Sequence, residues 1–111
     1  MKLDCQYVSA GEAGGEIFQV LFEAERDQKD GPYLLLQRAS FGEDEGDDDP
    51  CYVETNDERL IGHYPDLDVT LTRNRLTVNL PLPVAETIEA DFKATDEEFE
   101  QIRRTLGVIL Q

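Results

Sequence analysis

The chain has 111 residues, enough for one hydrophobic core, so a single domain is expected. Its 25 acids against 10 bases leave a net charge of −15. That balance excludes binding through nucleic-acid or lipid phosphates, a contact that needs Lys and Arg to displace counterions. The apolar share of 40% is modest, yet it falls in short runs that a disordered chain lacks.

The first ten residues, MKLDCQYVSA, carry acids and polar groups where a secretory signal needs an apolar stretch. No run approaches the ~20 apolar residues of a membrane helix, so the expected location is the cytoplasm. Leu3, Cys5 and Tyr7 alternate with Asp4 and Gln6, the period of one half-buried strand. SAGEAGGE follows as a glycine-rich turn. IFQVLFEA is a second strand, with Phe18, Val20, Phe22 and Ala24 on one face and Ile17 and Leu21 on the other. After the polar RDQKDGP loop, YLLLQRA is apolar on both faces at Leu34, Leu35 and Leu36. A strand of that kind belongs in the centre of a sheet.

Residues 41–50, FGEDEGDDDP, hold six acids and no base. No buried element tolerates that much uncompensated charge, so the stretch is solvated or waits for a basic partner. CYVET resumes as a strand. DLDVTLT and RLTVNL form the clearest hairpin, with Arg73 and Asn74 as a two-residue turn. Leu71 then faces Leu76, Val69 faces Val78 and Leu67 faces Leu80, all on one side of the sheet. TIEADFK alternates again, with Ile88, Ala90 and Phe92 inward. The last element opens with Thr95 and Glu98 at capping-box spacing. Phe99, Ile102, Leu106 and Ile109 follow at helical spacing. The expected fold is therefore α+β: an antiparallel sheet of six or seven strands with one C-terminal amphipathic helix packed across it.

A search for chemistry returns little. The acids at 44–49 come in the wrong order for a calcium loop, and no bidentate Glu follows at the needed distance. His63, in LIGHYPD, is the only histidine and is expected in a loop. Neither Ser9 nor Ser40 sits in a nucleophile turn. Two distant cysteines and one histidine make no zinc set, and Cys5 and Cys51 are expected as reduced thiols packed as small hydrophobes. The glycines of GEAGGE lack the context for phosphate binding. No catalytic residue, cofactor or metal is expected, and the chain is taken as a binding protein rather than an enzyme.

GPYLLLQRASF at 31–41 and CYVETND at 51–57, separated by an acidic linker, resemble the tenth family of bacterial polymorphic-toxin immunity proteins. The Leu- and Val-rich hairpin and the TDEE-capped terminal helix are also similar to that family. The similarity runs from about Tyr7 to Leu106 and is sharpest at Tyr33–Arg38 and Tyr52–Glu54. It implies a small cytoplasmic protein that binds a cognate toxin domain and blocks it by occupancy. Within the matched motif, Tyr33, Arg38, Tyr52 and Glu54 are expected mainly to pack at strand ends or along one strand face. From charge alone, the expected contact set is Glu43, Asp44, Glu45, Asp47, Asp48 and Asp49, with Tyr52 as an aromatic anchor. Such a surface suits a toxin that is a basic nuclease. The competing expectation is a homodimeric interaction module. It would form through an exposed strand edge or the apolar side of the sheet, since Phe18, Val20, Phe22, Leu34 and Leu36 are enough apolar side chains for two sheet faces with one helix to cover them.

Overall fold

The computed structural model describes residues 1–13, 17–24, 31–39, 51–65 and 67–110. Nine strands and one helix are built from them. In chain order these are β1 (Lys2–Asp4), β2 (Tyr7–Ala13), β3 (Ile17–Glu23), β4 (Tyr33–Ala39), β5 (Cys51–Thr55), β6 (Gly62–Tyr64), β7 (Asp68–Leu71), β8 (Arg75–Asn79), β9 (Thr87–Asp91) and α1 (Asp96–Ile109). A short 3-10 turn at Glu58–Leu60 joins β5 to β6.

The α+β class and the terminal helix are as expected, but the strands form two sheets instead of one. The first has the order β2-β3-β4-β5-β6 and the second β1-β9-β8-β7. The division falls inside the stretch expected as one N-terminal strand. The Cys5 amide donates to the Asp91 carbonyl of the second sheet, and the next amide, Gln6, donates to Glu23 of the first. One peptide step therefore hands the chain from sheet to sheet. β1 runs parallel to β9, with Leu3 opposite Ala90. A pairing across more than eighty residues leaves no trace in local periodicity. β2 also runs further than expected: its pairing with β3 continues to Ala13 opposite Ile17, through Gly11 at φ +148°. Glycine suits that position, because L side chains rarely adopt a φ of +148°. His63 is likewise in a strand, β6, and not in a loop.

The rest of the pattern holds. β4 is the central strand of five. The hairpin pairs Val69 with Val78 and Leu71 with Leu76, and the Thr72 amide donates to Arg75 across the two-residue turn. The Thr95 hydroxyl accepts from the Glu98 amide while the Glu98 carboxylate accepts from the Thr95 amide, closing the capping box.

One buried cluster joins the three layers. Val20, Phe22, Leu34, Leu36 and Val53 from the first sheet meet Leu76, Val78, Ile88 and Ala90 from the second, with Ile102, Leu106 and Ile109 from α1. The Phe22 and Phe92 rings lie 5.3 Å apart between the sheets. The helix covers β2, β3 and the near part of β4. The Arg38 guanidinium ties that strand to the helix end by donating to the Ile109 carbonyl. Val20, Phe22, Leu34 and Leu36 are fully buried on this single inner face. Thr105, missed by the apolar spacing, is buried with its hydroxyl on the Gln101 carbonyl.

Two stability changes follow. Truncating Phe22 to Ala is expected to cost about 3–5 kcal/mol, a large share of an ordinary domain's stability. Gly107 lies on the exposed side of α1 with open space where a Cβ would sit. Gly107→Ala is expected to raise stability by about 1 kcal/mol. Urea denaturation of both variants checks the pair.

Candidate functional site

Strand alternation sends every second side chain of the five-stranded sheet away from the core, and the register sorts them into rows. One row runs Gly11, Gln19, Gln37, Tyr52, His63 across all five strands. The next is Ser9, Leu21, Leu35, Glu54, and the third Tyr7, Glu23, Tyr33. α1 and the second sheet pack on the other, inner face, and at the β2 edge the Gln101 amide of α1 comes within 3.4 Å of a Cβ added at Gly11. Its side chains are half-buried or exposed, in contrast to the sealed inner set.

Glu54 is the focus of the face. The Tyr33 hydroxyl donates to its Oε2 at 2.6 Å and the Tyr52 hydroxyl to its Oε1 at 2.7 Å. The two tyrosines bracket the carboxylate along the strands. Tyr52 precedes it by two residues on β5, and Tyr33 stands two residues before Leu35, its neighbour on β4. The Tyr52 ring also lies 5.1 Å from the His63 ring on the edge strand. In the same row as Tyr52, the Gln37 amide donates to the Gln19 carbonyl oxygen at 3.0 Å.

These contacts set the protonation states. The two hydroxyls hold the Glu54 carboxyl below its ordinary range, Tyr33 first and Tyr52 second. Burial, and then the bond to Glu54, push Tyr33 up to about 12. Tyr52 is raised chiefly by its bond to the same carboxylate. Across neutral pH the cluster is therefore one anion with two protonated phenols around it. Among the described residues Glu54 has no ion pair, and no Lys or Arg stands in the three rows. Arg75 differs: it donates to both Asp91 oxygens and lies 3.6 Å from Glu89.

That arginine borders a cleft of about 960 Å³ at the seam of the two sheets, lined also by Asp4, Cys5, Gln6, Thr72, Asn74 and Lys93. Its thiol is a poor nucleophile: burial, then Asp4 and Asp91, push Cys5 up to about 11. Burial does the same to Cys51, and both cysteines are free. Among the described residues no group of three or more His, Cys, Asp or Glu could hold a metal ion. No helix among them is long and apolar enough to cross a membrane.

Comparison with protein-family models and with curated proteins gives no match.

Of the contact set expected from charge, Glu43, Asp44, Glu45, Asp47, Asp48 and Asp49 lie outside the described residues. Tyr52 is on the outer face, as an anchor must be. Tyr33 begins β4 and Glu54 shares a face of β5 with Tyr52, as expected, and their hydroxyl–carboxylate bonds complete its cluster. The period-two spacing of Tyr52 and Glu54 already puts them on one face. Tyr33 joins them only through the β4–β5 register, which no local pattern displays.

Alkaline titration checks the cluster. With its pKa raised, Tyr33 contributes stability that is full below the ordinary phenol value and is lost as pH rises through about 12. Glu54 has the opposite sign: its contribution is present above the ordinary carboxyl value and is lost as pH falls through its depressed one. NMR of the tyrosine rings is expected to show Tyr33 ionising well above the free phenol value, and at lower pH in Glu54→Gln. Ionisation near the free phenol value would contradict the hydrogen bond.

Proposed function

We propose that this chain is a binding protein without catalysis of its own, which neutralises a cognate bacterial toxin domain by occupying it. The observation that carries the proposal is the outer face of the five-stranded sheet, where the Tyr33 and Tyr52 hydroxyls hold the Glu54 carboxylate, which has no ion pair among the described residues, with His63 beside Tyr52. Aromatic side chains with polar tips supply contact area at low entropic cost, and they are the residues that dominate protein interfaces. The net charge of −15 supports a basic partner, drawn in by long-range attraction before the face docks. The similarity of residues 31–41 and 51–57 to the immunity proteins supplies the biological setting: a cytoplasmic inhibitor encoded beside its toxin.

The toxin suited to such a surface is a nuclease with a basic cleft, since an acidic surface competes there with nucleic-acid phosphate. The acids at 43–49 then act in steering and the sheet face in holding. Replacing Glu43, Asp44, Glu45, Asp47, Asp48 and Asp49 by Gln and Asn is expected to slow association at low salt by about tenfold or more and flatten its salt dependence. An unchanged rate across a salt series would remove steering from the account.

The reading itself is tested by recovering what the tagged protein holds in lysate of its own source cells and assaying the captured domain. The expected result is a secreted protein with a basic C-terminal domain whose activity stops when this chain is added in equal amount. Recovery of a second copy of the chain alone, or a captured domain that stays active, would contradict it.

A further inference from the structure

The geometry points to Glu54, Tyr33 and Tyr52 as a seat for a single guanidinium group, an arginine side chain presented by the partner. The assignment rests on the binding reading only in taking that arginine to be another protein's; the seat itself is a property of this chain.

Each Glu54 oxygen receives one tyrosine hydroxyl and keeps acceptor capacity for a second donor. The two hydroxyls also fix the carboxylate in orientation, so little rotamer entropy remains to be lost on binding. A planar guanidinium offers two parallel N–H groups at the spacing of two carboxylate oxygens, which an ammonium does not. Tyr33 and Tyr52 stay protonated at neutral pH, so they hold the carboxylate by hydrogen bonds without adding charge.

The alternatives are disfavoured by the same residues. An anion is repelled by Glu54 and finds no Lys or Arg in the three rows. A metal ion would have one carboxylate here, and no ligand set of three is present among the described residues. A wholly apolar segment would bury the Glu54 charge without a partner, at a cost of several kcal/mol. Elsewhere on the described surface, carboxylates such as Asp57, Asp91, Asp96 and Glu100 already hold an arginine of this chain. Those pairs are internal examples of the contact that Glu54 leaves open.

The probe is a capped Gly-Arg-Gly tripeptide, titrated into protein labelled with carbon-13 in its tyrosine rings. The citrulline tripeptide, its neutral isostere, and the lysine tripeptide are run beside it. Saturable shifts at Tyr33 and Tyr52 are expected with arginine, in the millimolar range, with little from citrulline and weaker binding of lysine. Glu54→Gln, which keeps size and surface exposure, is expected to weaken binding by about tenfold or more. Tyr52→Phe keeps the ring and removes one hydroxyl, and is expected to weaken it several-fold.

Shifts that do not saturate, or that survive in Glu54→Gln, would mean diffuse attraction to the acidic surface and would overturn the seat. Equal binding of lysine would overturn the guanidinium assignment. Because the readout needs no toxin, it separates the two proposals. A seat that binds arginine in a protein with no recoverable toxin would sink the immunity reading alone. A neutralised toxin with no response at Tyr33 and Tyr52 would sink the seat alone.

Discussion

The two-residue alternation of β3, β4 and β5 is the constraint on which the rest depends. Leu34 and Leu36 on the central strand are fully buried, and so are their partners Phe22, Val20 and Val53. With that face committed to the core, Tyr33, Leu35 and Gln37 have only the outer face left. A slip of one residue would bury Tyr33 and Gln37 and expose the two leucines, at a cost no surface contact could offset. The hydrophobic core thereby sets the positions of the tyrosines as firmly as it sets its own.

The same logic separates what the sequence displays from what it hides. β3, β4, β5, the β7–β8 hairpin and α1 are each stabilised by contacts between near neighbours or by their own periodicity, and their bounds are legible to within a residue or two. The parallel pairing of β1 with β9 is not, because its partner lies at the other end of the chain. Neither is the change of sheet at Cys5 and Gln6, which looks like an uninterrupted strand until the two hydrogen bonds are drawn to different sheets. His63 looks like a loop residue because β6 is three residues long, too short to show alternation.

The candidate site shows the same division. Tyr52 is visible as an aromatic near a charged segment. Glu54 is invisible among so many acids, since its distinction is two phenol hydroxyls and no ion pair among the described residues, a matter of register and not of composition. The acidic run at 43–49 is the reverse case, conspicuous in the sequence and outside the described residues. Charge density draws attention to that run, whereas the carboxylate held by two hydroxyls is a single residue in a strand. A surface with −15 net charge attracts any basic protein. Selection among basic proteins needs a fixed geometry, and the sheet provides it.

The most direct measurement is hydroxyl-radical footprinting of the chain alone and bound to the domain it captures, read at individual side chains. Protection is predicted at Tyr33, Tyr52 and His63, with Leu82, 82% exposed in the β8–β9 connection, labelled equally in both states. Unchanged labelling of the three outer-face rings, with protection appearing at Leu82 or along α1, would contradict the account and move the interface to another side of the fold.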